Sequence, residues 1–171
     1  TFAAPTLHGY VATIGQLCAR TATQDVLDYG CGAAPLHQDG HVADGATEAE
    51  ALTTAWRVRR LICFDPAIAK YNAWPQETFD GVVCAQVLEY CARDDVDAVL
   101  TSVFAFAKKF VFLGISCQVV ANDEGAQALP VLERSPHWWR GRIERARRVN
   151  PHVMFVAMCT LRDGQSVLIE G

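Results

Sequence analysis

The chain has 171 residues, a net charge of −4, an apolar share of 51% and a charged share of 20%. That composition excludes a disordered chain and supplies enough apolar mass for one core. An acidic chain is not drawn to nucleic acid by its overall field, so any such binding needs a local basic patch.

Leu7, Tyr10, Val11, Ile14, Leu17 and Cys18 recur at helical spacing and predict an amphipathic helix over Leu7 to Arg20. Asp25 to Tyr29 reads as a short buried strand that runs straight into the turn Gly30-Cys31-Gly32. From Ala33 to Arg60, Gly40, Gly45 and small or acidic residues predict a loop, followed by a helix over Thr47 to Trp56. Leu61 to Phe64 is a second buried strand, stopped by Asp65-Pro66. Ile68 to Thr78, with Asn72, Trp74 and Pro75, reads as an irregular connection, and Phe79 to Ala85 as a third strand. Arg93 to Lys109 predicts a helix with Val96, Leu100, Val103, Phe104 and Ala107 on one face. The unbroken apolar run Phe110 to Ile115 predicts a parallel strand covered on both faces. Gln118 to Glu133 is a polar loop at the carboxyl end of that strand, where a lid or substrate loop would sit. Ser135 as N-cap and Pro136 at the first helical position open a helix to about Arg148. Val153 to Thr160 and Gln165 to Ile169 close the chain as two strands joined by Arg162-Asp163-Gly164, a hairpin signal. The alternation predicts a single α/β domain. It is a Rossmann-like three-layer sandwich with a mostly parallel sheet and a C-terminal antiparallel hairpin strand.

No stretch reads as a transmembrane helix, since the longest apolar region, Phe110 to Ala121, is short and holds Ser116 and Gln118. No signal-peptide pattern is visible at the start. The chain opens without Met, which predicts a trimmed end or a domain cut from a longer protein. The seven cysteines form no CxxC pair. They predict free thiols in a reducing, cytoplasmic setting, with no disulfide and no metal site.

The chemistry concentrates in Val26-Leu27-Asp28-Tyr29-Gly30-Cys31-Gly32. A strand ending in a glycine-rich turn lets a ligand approach the backbone with no Cβ in the way, in the crevice where open α/β sheets bind ligands. Asp28 closes the first strand, where it can accept hydrogen bonds near a bound amino group. Asp65 closes the second, where a carboxylate can accept from two ribose hydroxyls. A dinucleotide reading is disfavoured by Pro35, which stands where the third small residue of that fingerprint belongs. A tight turn with no ligand is the bland alternative.

VLDYGCG, then FDPA at Phe64 to Ala67, then FDGVVCAQVLEY at Phe79 to Tyr90 resemble, in this order, motif I, the acidic post-I segment and motif IV of class I S-adenosylmethionine (SAM)-dependent methyltransferases. The resemblance covers roughly Leu7 to Ser116. It implies a seven-strand sheet, SAM as cofactor and S-adenosylhomocysteine as its product. It also implies that Asp28, Tyr29, Gly30, Cys31 and Gly32 line the methionine part, that Asp65 and Pro66 hold the ribose, and that Ala85, Gln86 and Val87 border the sulfonium. The sequence departs from the family pattern in three ways. The spacing from Asp28 to Asp65 is long, Ile68 to Thr78 leaves the family's third strand lost or reduced, and Tyr90 stands where many relatives have a histidine. No [DNS]PP[YFW] tetrapeptide is present, so the likeness does not extend to DNA amino-methyltransferases.

Methyl transfer from a sulfonium needs mainly positioning and exclusion of water, with a general base as an option. Glu89 and His37 are the candidate bases, against a solvated glutamate at a helix entrance and a surface loop histidine. Residues 134–148 carry six arginines and one glutamate, a local charge of +5. In this stretch Trp138, Arg142 and Arg145 are candidate substrate contacts for RNA or another anionic partner, and Trp139 fits the core. The bland reading is a solvated basic helix. The acceptor expected first is a small molecule, then an RNA or other phosphate-bearing one. The rivals are a non-catalytic module of this fold serving a larger protein or complex, and a nucleotide-dependent oxidoreductase.

Overall fold

Runs of buried β-branched and aromatic residues, each cut off by a polar or glycine turn, form the strands of one sheet. The computed structural model describes residues 7–32, 48–117, 132–161 and 164–171. Among these, the strands are β1 (Asp25–Tyr29), β2 (Arg60–Phe64), β3 (Phe79–Ala85), β4 (Ala107–Ser116), β5 (Met154–Thr160) and β6 (Ser166–Glu170). They lie in the order β2-β1-β3-β4-β5-β6. The first five run parallel to their neighbours, and β6 pairs antiparallel to β5 at the edge. This is the Rossmann-like α/β arrangement with a closing antiparallel strand.

Two helix pairs cover the two faces. On one side lie α1 (Val11–Arg20), entered through a 3-10 turn at Leu7–Tyr10, and α2 (Glu48–Trp56). Tyr10, Ile14, Leu17 and Trp56 pack there on Val26, Val83, Phe110 and Phe112. On the other side lie α3 (Val96–Phe106) and α4 (Pro136–Arg147). Leu100, Phe104, Trp139 and Ile143 pack there on Leu27, Val82, Val111 and Leu113. Along β4 the side chains alternate between these clusters, so a strand buried on both faces must be apolar at every position. The N-cap of α4 is Ser135, whose Oγ accepts the Trp138 N–H at 3.3 Å, with Pro136 in the first turn.

The chain differs from its sequence reading at two places. The helix expected to Lys109 ends at Phe106, and Ala107 already pairs with Phe79 as the first residue of β4. On the strand, Lys109 Nζ lies 2.9 Å and Lys108 Nζ 3.2 Å from the Asp80 carboxylate. The sheet has six strands among the described residues rather than seven, and β2 is its edge. Residues 65–78 form turns, as the irregular connection expected over Ile68 to Thr78, with Asp65 N–H donating to Tyr71 O at 3.0 Å. The hairpin residues Arg162 and Asp163, and Pro35, Gly40 and Gly45, lie outside the described residues.

Candidate functional site

Five parallel strands end on the same side of the sheet, and the residues singled out on β1, β2 and β3 meet there. β1 and β2 pair residue for residue from Asp25 and Arg60 up to Tyr29 and Phe64. This register brings the turn after β1 against Asp65. Gly30 and Cys31 both donate their N–H to Phe64 O, at 2.7 and 3.2 Å. Gly32 N–H donates to Asp65 Oδ2 at 2.8 Å, and Ala67 N–H to Asp65 Oδ1 at 2.9 Å, so the turn around Pro66 is tied to the same carboxylate. An ionised carboxylate has about four lone-pair sites, so Asp65 keeps acceptor capacity for a ligand's hydroxyls.

Gly30 has φ +82°, and a Cβ built there would sit 2.3 Å from Val87 Cγ2. Only glycine fits, because the turn is wedged against the end of β3. Gly32, at φ +58°, has nothing within 4 Å of a built Cβ among the described residues. Asp28 is 8% exposed and alternates with Leu27 and Tyr29, which point into the opposite core. Tyr29 stacks at 5.1 Å on Phe64, so it supports the turn from below. The Cys31 thiol is pushed up by its hydrogen bond with Cys63, by burial and by Asp28 and Asp65, which disfavours the thiolate a nucleophile needs.

At the end of β3, Gln86 has φ +59°, a left-handed conformation that costs a non-glycine residue roughly 1–2 kcal/mol. Its N–H donates to Gly114 O at 2.7 Å. This reversal after Ala85 sends the chain into the 3-10 turn Leu88–Tyr90, which carries Glu89 inward. Glu89 is fully buried rather than solvated, correcting the bland alternative. Its Oε1 accepts the Ser116 N–H at 2.9 Å, and its backbone carbonyl accepts the Leu132 N–H at 2.6 Å. Burial pushes its carboxyl up to about 7, against the lowering effect of backbone N–H groups.

In the sequence Tyr10 reads as part of an apolar helix face. Its hydroxyl is buried at the same end of the sheet, facing Gln86 and Thr160 without a hydrogen bond of good geometry. A Cβ on Gly114 would meet the Tyr10 ring at 2.6 Å, so the glycine on β4 makes room for this ring. Tyr10, Ser116 and Thr160 carry no sequence signal beyond their element type.

The α4 candidates lie apart, against α3. Arg142 Nη1 is 2.6 Å from Asp97 Oδ2, and Arg145 Nη1 is 3.6 Å from the same atom. The Trp138 ring lies under Arg142 at 4.7 Å and Arg134 at 5.6 Å, with Trp139 edge-on at 4.9 Å and fully buried. His37 lies outside the described residues. One cavity of about 450 Å³ lies between α1 and α2 beside Gly15 and Trp56, and another of about 650 Å³ beside Trp74 and Phe106. Neither reaches the strand ends, where the hydrogen-bond geometry and the perturbed carboxyl lie. Among the described residues no cluster could hold a metal ion, and no helix is long and apolar enough to cross a membrane.

No protein-family model matches the chain, and no curated protein does. The fold is similar to that of the mitomycin 7-O-methyltransferase MmcR, with a TM-score of 0.54 and 15% identity over 95% of this chain and 53% of that one. It is also similar to an O-methyltransferase family protein from Burkholderia thailandensis, with a TM-score of 0.53 and 13% identity over 96% of this chain and 55% of that one. The chain spans about half the length of both. At such identities the likeness is one of fold alone: the chain has a Rossmann-like α/β fold, similar to that of these two O-methyltransferases.

Proposed function

We propose that this chain, built on the class I methyltransferase fold, binds SAM at the carboxyl ends of β1, β2 and β3 and transfers its methyl group to an acceptor. The observation that carries this reading is the Gly30–Gly32 turn, wedged against Val87 and tied to Asp65 by the Gly32 N–H at 2.8 Å. A ligand is held where a backbone without Cβ atoms and a carboxylate with spare lone pairs meet.

The residues present fit the cofactor. Asp28 and the Gly30–Gly32 turn would hold the amino acid end, Asp65 and Pro66 the ribose, and Ala85, Gln86 and Val87 the region of the sulfonium. Bound SAM supplies an activated methyl on a good leaving group. The chain's part is therefore to orient an acceptor, exclude water and take up a proton. Glu89 suits the last task, because a carboxyl near 7 is half ionised at neutral pH and returns its proton readily. The arginines of α4 support a phosphate-bearing acceptor less, since Arg142 and Arg145 share Asp97 and Arg140 pairs with Glu144 at 3.6 Å.

A second reading, a non-catalytic module of this fold, is favoured by one observation: residues 65–78 form turns where the resemblance implies a further strand. Calorimetric titration with SAM, S-adenosylhomocysteine and NAD separates the readings. The expected result is binding of SAM and S-adenosylhomocysteine but not NAD, lost in Gly30→Asp and Asp65→Ala. A folded chain that binds neither overturns the enzyme reading.

A further inference from the structure

Among the described residues β6 is the far edge of the sheet, and its inner side pairs with β5 along its whole length. The Phe155 N–H donates to Gly171 O at 2.8 Å, the Gly171 N–H to Phe155 O at 3.2 Å, and the Leu161 N–H to Gln165 O at 2.8 Å. These bonds fix the phase of a ladder in which Val156 faces Glu170, Met158 faces Leu168 and Thr160 faces Ser166. In an antiparallel pair, residues that exchange both bonds alternate with residues that exchange none. Gly171, Ile169, Val167 and Gln165 therefore turn their backbone groups towards β5. Ser166, Leu168 and Glu170 turn theirs outward, away from the sheet.

The outward edge is apolar and unblunted. Leu168 is 51% and Val167 37% exposed, on opposite faces of the one strand. Met158, the half-buried partner of Leu168 on β5, extends the apolar strip inward. The ladder with β5 runs without a register shift, and β6 contains no proline, lysine or arginine. Charges, prolines and bulges are what keep a bare strand edge from accepting another strand.

The strand is also complementary to itself. Laid antiparallel against a second β6 with Leu168 facing Leu168, Ser166 faces Glu170 at both ends. Each of these residues then donates its N–H and accepts at its C=O, so every outward backbone group is paired. Their side chains share one face, so the leucines touch at the two-fold axis and each Ser166 hydroxyl meets a Glu170 carboxylate. The two carboxylates stand at opposite ends of the paired segment. A slip towards the C-terminal end of β6 would set Glu170 against Leu168 or against its own copy, so charge selects the register.

We infer that two copies of this chain join edge to edge through β6, antiparallel and centred on Leu168, into one continuous sheet. The two-fold axis runs perpendicular to the sheet. The carboxyl ends of β1 to β5 thus point in opposite directions in the two copies, and neither candidate site obstructs the other. A closed pair of this kind uses the β6 edge of both copies and adds no third through it. A five-residue strand pair falls short of the roughly 1,200 Å² buried in stable interfaces, so the dimer forms and dissociates with concentration.

Sedimentation equilibrium of the whole chain over a concentration series tests the pairing. The wild type is expected to move from monomer towards dimer mass as concentration rises. Leu168→Lys places two ammonium groups at the axis and is expected to stay monomeric. Leu168 is exposed, so the chain should fold with the lysine, which circular dichroism checks. Ser166→Lys and Ser166→Glu report the register without touching the leucine contact. Opposite Glu170, the lysine should tighten the dimer by roughly fivefold and the glutamate weaken it by about as much, with two such pairs in each dimer. A wild type that stays monomeric throughout overturns the inference. So does a dimer that survives Leu168→Lys in a folded chain, or one that responds alike to both Ser166 variants, whatever Leu168→Lys does to folding.

Discussion

The Ser116 amide donates to Glu89 Oε1 at 2.9 Å, tying the last residue of β4 to the middle of the 3-10 turn that follows β3. The bond anchors one oxygen of a fully buried carboxyl at the carboxyl end of the sheet, where burial raises the carboxyl and the bond opposes that rise without cancelling it.

Because burial raises the Glu89 carboxyl from its usual 4.5 to about 7, the folded chain pays a charging penalty the unfolded chain avoids. The contribution to stability is complete below about 4.5 and is lost as pH rises through about 7. Glu89→Gln keeps an oxygen for Ser116 and never charges. Thermal denaturation should show the variant melting above wild type at pH 8 and level with it at pH 4.5. A variant that melts lower at both values would mean that the carboxyl is structural.

Gly30→Ala should destabilise by about 2 kcal/mol or more, from overpacking and from strain at positive φ together. The added methyl would sit 2.3 Å from Val87 Cγ2 at φ +82°. Val87→Ala removes the clash but not the strain. Urea denaturation of the double variant should therefore recover only part of the loss, and full recovery would show that φ is not limiting.

At the amino ends of the strands, burial raises the Asp80 carboxyl. It is outweighed by hydrogen bonds from Lys109 and the Gln24 N–H and by Lys108, so its net shift is downward. Its stabilising contribution is present above the usual value of 3.8 and is lost as pH falls through the lower folded value. Asp80→Asn should cost about 1–3 kcal/mol at pH 7 and progressively less in acid, as read by denaturation across that range.

Arg142 has two partners, Asp97 at 2.6 Å and the Trp138 ring at 4.7 Å. Arg142→Ala should cost about 1 kcal/mol, a half-buried pair being worth more than a surface one. In a double-mutant cycle with Asp97→Ala, additivity within error would show that the pair contributes nothing.

Elements bounded by strong local punctuation are the legible part of this sequence. β1 and β3 match their expected bounds because Gly30 and Gln86 end apolar runs that have only one way to be buried. The start of β4 is not legible, because Ala107 continues the apolar period of α3 and Lys108-Lys109 look like cations at a helix end. Their partners, Asp25 and Asp80, are distant in sequence. Within the candidate site the glycine turn and Asp65 are legible, since each sits at the end of its own strand. The burial of Glu89 is not, because it depends on Ser116, Tyr10 and Leu132, which arrive from three other parts of the chain. Arg142 reads as a free cation because Asp97 lies on another helix.

Among the described residues β2 is a sheet edge, which bears on how copies of this chain behave together. Leu61 to Phe64 form an apolar strand at the sheet edge, whose outward backbone groups could template a foreign strand. Arg60 stands at its start, held by Asp25 at 3.0 Å and Glu77 at 2.8 Å, and Pro66 follows its end. A charge and a proline at the two ends are devices that discourage edge-to-edge growth. The Arg60 ion pairs thus hold a charge at the start of this edge, and their hold on it weakens with rising salt.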